Sequence, residues 1–149
     1  AQIDPLSSDL YANNAKDYKT ILSELDEEIA EIIQSIPLSN RKIMTEHESL
    51  IYLTERYGME SIESVIPKNR SDIGPTPLDI KRAIEAVRRH NLKVIFIEYE
   101  TNKAAAERVA EETGVKLSEE LKVETLDENQ SYEEFMRKNV NIIVSSLLD

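Results

Sequence analysis

Lys93–Glu98 reads KVIFIE, four consecutive apolar residues, Val94 to Ile97, closed by a carboxylate. The run is too short for a buried helix, and it is rich in the branched and aromatic side chains that favour extended backbone. A strand apolar on both of its faces belongs in the middle of a parallel sheet covered by helices on either side. In such sheets ligands gather at the carboxyl ends of the strands, which places Glu98 where a site would form.

Working outward, helical patterns precede and follow this strand, over Pro77 to His90 and Lys103 to Thr113. Further strands are predicted over Lys42 to Thr45, Ser61 to Ile66 and Leu121 to Thr125, with helices over Ser49 to Tyr57 and Ser131 to Leu148. The alternation predicts an α/β fold: a four-stranded, mainly parallel sheet flanked by helices and preceded by one long helix. Thr76 can cap the helix that opens with Pro77, and Gly58 and Gly114 stand where helix ends need left-handed backbone. PKNRSDIGPT, from Pro67 to Thr76, reads as a surface loop.

The long helix is predicted over about Asp9 to Ser35, with apolar residues at helical spacing from Leu10 and Tyr11 through Tyr18, Ile21, Leu25 and Ile29 to Ile33. Ser8 or Asp9 can cap its start, and Pro37 stops it. Glu24, Glu27, Glu28 and Glu31 form its solvated face.

Composition narrows the function classes. The chain has 149 residues, enough for one core, and 18 basic against 29 acidic residues give a net charge of -11. That charge repels nucleic acid and anionic lipid. No apolar run approaches the roughly 18 to 20 residues that span a bilayer, and AQIDPLSSD lacks the features of a signal peptide. A start at alanine suggests a processed or truncated product. With no cysteine there are neither disulfides nor thiolate sites, and with three glycines there is no phosphate-binding loop. A serine nucleophile lacks its elbow motif, and the aspartate cluster of a phosphoacceptor domain is replaced by Glu46, His47 and Glu98.

If the strands are parallel, their carboxyl ends carry Glu46, His47 and Glu48 after the first, Glu98 after the third and Glu124 within the fourth. Imidazole with carboxylate oxygen suits zinc, manganese or iron. On spacing alone, a histidine between two glutamates is more often a solvated loop residue than a ligand. His90, beside Arg88 and Arg89 at a helix end, matches the helix dipole and is assigned no function.

Four stretches, taken in order, carry a resemblance. They are IDPLSSDLYANNAKDYKTILSELDEEI (3–29), RKIMTEHESLIYLTERYGM (41–59), VIFIEYETN (94–102) and ELKVETLDENQSYEEFMRKNVNII (120–143). Together they resemble the C-terminal half of the TroA-like solute-binding proteins of zinc and manganese ABC importers, several of which are bacterial surface lipoproteins.

The resemblance implies that residues 1–8 end an interlobe region, 9–36 form the helix linking two lobes, and 37–149 form the C-terminal α/β lobe, the N-terminal lobe being absent. It implies a metal-binding protein of the periplasm or cell surface, lipid-anchored through a missing N-terminus, with metal transport and cell adhesion as associated roles and no enzymatic activity. His47 falls at the family's third ligand position. Glu124 falls at the fourth, where aspartate is usual, and Asp127 is the nearby alternative. Glu98 matches a glutamate that orients a ligand or the linker. The implied cargo is zinc or manganese, with histidine at position 47 tilting it toward zinc. The implied partners are the permease and the missing lobe, whose two histidines complete the site. The readings set against this are an acidic α/β interaction or regulatory module without a metal ligand, and a metal-dependent hydrolase built on His47.

Overall fold

The computed structural model describes residues 3–67 and 74–148; residues 68–73, the middle of the loop read from Pro67 to Thr76, lie outside the described residues. Helix α1 spans Ser8–Gln34, followed by strand β1 (Lys42–Ile43), α2 (Ile51–Tyr57), β2 (Glu60–Ser61), α3 (Pro77–His90), β3 (Val94–Ile95), α4 (Ala104–Thr113), β4 (Lys116–Leu117) and α5 (Tyr132–Leu148).

All pairings are parallel. Lys42 faces Glu60 and Ile43 faces Ser61, while Val94 faces Lys116 and Ile95 faces Leu117. Bridges from Thr45 to Phe96 and from Glu98 to Leu121 extend the pairing, so the strands follow the spatial order β2-β1-β3-β4. The halves are joined by Phe96 N–H donating to Met44 O at 2.9 Å and Glu46 N–H to Phe96 O at 3.1 Å.

The outer strands differ from the sequence expectation. Regular pairing of β2 stops at Ser61 rather than running to Ile66, and the fourth strand is Lys116–Leu117 rather than Leu121 to Thr125. The cause is one extra residue on each outer strand. Ile62 and Val65 donate to Ile43 and Thr45, three residues against two, and Ser118 and Leu121 donate to Ile95 and Ile97 in the same way. Such an insertion breaks the ladder and bends the strand, although pairing resumes beyond it.

Successive residues of the central strands point to opposite faces. Ile95, Ile97 and Met44 pack with Ala83, Ala86 and Val87 of α3 and Ala105, Ala106 and Val109 of α4. Val94, Phe96 and Ile43 pack with Leu25, Ile29 and Ile33 of α1 and Val140, Ile143 and Leu147 of α5. The result is three layers with the sheet in the middle.

Local signals account for most helix ends. Thr76 Oγ1 accepts from Asp79 N–H at 3.3 Å while Asp79 Oδ2 accepts from Thr76 N–H at 2.8 Å, a reciprocal capping box. Gly58 (φ 67°) and Gly114 (φ 76°) terminate α2 and α4 in the left-handed region. At the start of α1 the expectation is corrected. A short 3-10 turn over Pro5–Ser7 leads directly into the helix, and Ser7, which makes no side-chain capping hydrogen bond, stands at the cap in place of Ser8 or Asp9. Its far end is closed by Arg41, whose guanidinium donates to Ile36 O and Gln34 O, each at 2.9 Å.

Burial along α1 is uneven. Leu25, Ile29 and Ile33 are in the core, whereas Leu10, Tyr11, Tyr18 and Ile21, on the same apolar stripe, are exposed.

Candidate metal site

From β1 the chain goes first to β2 on one side and then to β3 on the other. The order therefore reverses between β1 and β3, and the crevice outside their carboxyl ends is where open α/β sheets bind ligands. Glu46 and His47 leave β1 there, and Glu98 leaves β3 beside them.

His47 is half-buried, and its backbone rather than its ring is tied down. His47 O accepts from Ser49 N–H at 2.9 Å and from the Thr45 hydroxyl. Ser49 Oγ in turn donates to Glu98 Oε1 at 2.8 Å. Glu98, only 5% exposed, thus grips the turn that presents the imidazole.

Glu46 was legible at this edge but was not singled out, and it is the most unusual side chain in the crevice. None of its surface is exposed. Its Oε2 lies 2.5 Å from Thr101 Oγ1, and its Oε1 has no hydrogen-bond partner. Burial pushes its acidity weaker than the ordinary carboxylate; Thr101 and the charge at His47 pull the other way, and Glu98 adds to the rise. The Thr101 hydroxyl also lies 2.9 Å from Glu98 O. One hydroxyl has one proton, so both contacts are satisfied when Glu46 carries a proton of its own.

Glu124 is exposed, three residues beyond Leu121, the last residue bridged to β3. Asp127 has a partner: Lys122 Nζ donates to its Oδ1 and holds its carboxyl below the usual range. The same ammonium stands 4.7 Å from the centre of the Tyr99 ring. Lys122 is anchored at its backbone by Asn139 of α5. Lys122 N–H donates to Asn139 Oδ1 at 3.0 Å, and Asn139 Nδ2 donates to Lys122 O at 2.6 Å. Asn139 is a second residue the sequence reading passed over. Its signal was its spacing, four residues from both Phe135 and Ile143, which puts an amide on the buried stripe of α5.

His90 is 3.9 Å from Glu60 at the opposite end of the sheet. Among the described residues no three histidine, aspartate or glutamate side chains are gathered closely enough to hold a metal ion. The donors near these two strand ends are imidazole and carboxylate, and few in number. Donors of these types suit a borderline divalent ion.

The family model described as the zinc-uptake complex component A, periplasmic, matches residues 1–146. The chain belongs to this family. Among its relatives, the manganese-binding lipoprotein MntA of Halalkalibacterium halodurans is 28% identical over 148 residues, 97% of this chain and 49% of the relative. The manganese ABC transporter substrate-binding lipoprotein PsaA of Streptococcus anginosus is 26% identical over 97% of this chain and 47% of its own length. The crystal structure of the laminin-binding protein Lbp of Streptococcus pyogenes superposes with a TM-score of 0.83 at 26% identity, over 98% of this chain and 55% of that one.

The chain therefore spans about half the length of the curated relatives it matches. The zinc-uptake family is one of solute-binding components of metal transporters, not of enzymes. Its members carry metal-binding, lipoprotein and adhesin names, and the α/β fold with its long leading helix is theirs. No helix among the described residues is long and apolar enough to cross a membrane.

Proposed function

We propose that this chain is the C-terminal lobe, with its linking helix, of an extracytoplasmic solute-binding protein that holds zinc or manganese between two lobes and delivers it to an ABC permease. Residues 9–36 link the lobes and 37–149 form the one described. His47 and Glu124 are this lobe's ligands to the cargo ion, and Glu98 steadies His47 through Ser49. The family match over residues 1–146, with His47 at the switch point between β1 and β3, carries the reading.

Several features support it. The exposed apolar stripe on the first half of α1 is what a second lobe packed along that helix would cover. Glu124 is exposed, as a side chain shared across an interlobe cleft must be. Asp127, drawn to Lys122, is the poorer candidate, because coordination would first have to break that pair. The imidazole of His47 favours zinc over manganese, which prefers oxygen.

The test is metal analysis, by mass spectrometry, of the complete two-lobe protein. One zinc or manganese ion per molecule is expected, and its loss or marked depletion in His47→Ala. Wild-type protein that retains neither ion, and takes up neither when it is supplied, overturns the reading.

A further inference from the structure

We infer that Asn139 is a positioning residue for the metal site, acting on Glu124 through the backbone of Lys122. The inference rests on the proposed role of Glu124 and adds to it the device that holds the residue in place.

The need for such a device follows from the sheet. Leu121 is the last residue bridged to β3: its N–H donates to Ile97 O at 2.9 Å and its carbonyl accepts from Tyr99 N–H at 2.8 Å. Backbone groups alternate in direction along an extended chain, so the N–H and carbonyl of Lys122 point away from β3. No further strand lies on that side among the described residues. Left alone, these two groups would be half-buried and unpaired, and the segment would part from the sheet at Leu121. The Asn139 amide pairs with both. One side chain supplies the donor and the acceptor that a fifth strand would have supplied.

Asn139 is suited to the task because it is built into the core. It is 7% exposed and sits on α5 between Phe135 and Ile143, on the stripe that packs against the sheet and α1. Both hydrogen bonds of its side chain go to Lys122. A buried asparagine on a core stripe sacrifices apolar packing, and what it gains here is a fixed exit for residues 122–127.

Two further contacts brace the loop from its far side. Lys122 Nζ closes onto Asp127, and Gln130 Oε1 accepts from Asp127 N–H at 3.0 Å. Glu124 thus lies within a closed loop, two residues from the clamped backbone of Lys122. Ligands held in advance lose less freedom when an ion binds, so the clamp acts on affinity without touching the ion.

The experiment is a double-mutant cycle in the complete two-lobe protein, with zinc and manganese affinity read by chelator competition and hydrogen exchange read at amides 122–126. Asn139→Ala and Asn139→Asp are each combined with Glu124→Gln; the aspartate, of the same shape, retains the acceptor and serves if the alanine protein does not fold. Each single change is expected to weaken metal binding about tenfold or more, and the double mutant to bind within about twofold of Glu124→Gln alone. Amides 122–126 are expected to exchange faster in both Asn139 variants while the centre of α5 stays protected.

Wild-type affinity in the Asn139 variants overturns the inference. So do losses that multiply with that of Glu124→Gln, since they mark a general structural role. If Glu124→Gln itself binds as wild type, the proposed ligand is wrong and the clamp has nothing to position. A wild-type protein that binds neither ion overturns the metal reading as a whole.

Discussion

Glu46 decides how the crevice behaves with pH. A carboxyl group with no exposed surface, one hydroxyl neighbour and one unpartnered oxygen is costly to ionise, and its acidity is shifted weaker than the ordinary 4.5, chiefly by burial. For an acid shifted upward in the folded state, the native protein holds the proton more firmly than the unfolded chain. The associated stability is present below the ordinary value and is lost as pH rises through the shifted one. Glutamine has no proton to lose, so the stability of wild type relative to Glu46→Gln is expected to fall as pH rises above about 4.5. Denaturant titrations of both proteins at several pH values measure this, and a difference that does not change with pH would show that burial leaves Glu46 free to ionise.

At the level of elements, the attachment of α1 is a contest between buried apolar surface and exposed ion pairs. Arg137 forks onto Glu28 from α5, with Nε 3.0 Å from both carboxylate oxygens and Nη2 at 2.8 Å from Oε2. Arg56 of α2 forks onto Asp26, which also accepts from the Tyr57 hydroxyl at 3.0 Å. Burial, with Asp26 beside it, pushes the Tyr57 phenol up to about 12. These pairs lie largely in water and fix orientation more than they stabilise. Ile33 of α1, by contrast, is fully buried against the sheet and α5. Ile33→Ala is expected to cost about 2–5 kcal/mol, while Arg137→Ala leaves the unfolding midpoint close to wild type; urea titration distinguishes them. An arginine variant that destabilised as much as the isoleucine one would reverse this ranking.

The elements were also where the sequence spoke most clearly. The start of Pro77 to His90 was readable to the residue because a capping threonine and a proline open it. Val94 to Ile97 declared a two-faced central strand because it is apolar throughout. The outer strands were harder to read, since an inserted residue in a strand leaves the same apolar string. At the site, His47 and Glu98 were visible as strand-end residues. The inward aim of Glu46 follows from Met44 lying two positions earlier on the same face, a signal that needs the register of β1. Asn139 required the contact itself, because its value lies in a backbone 17 residues away.

For the whole molecule, the site has too few donors gathered within the described residues to enclose an ion. The chain alone is therefore expected to bind zinc weakly. Titration calorimetry of the 149-residue chain measures this; tight, one-to-one binding would mean that the chain carries a complete site. The charge of -11 draws cations toward the chain, a pull that weakens with added salt.

Helix α1 joins two thermodynamic regimes in one continuous 27-residue rod, roughly 40 Å long at 1.5 Å per residue. From Leu25 onward its backbone can open only when the core opens. Before that, its turns are held by helix propensity alone, and they can fray and reform without consulting the rest of the fold. The rod is anchored like a mast stepped in a hull: stiff where it enters, and pliant above the deck until something is lashed to it.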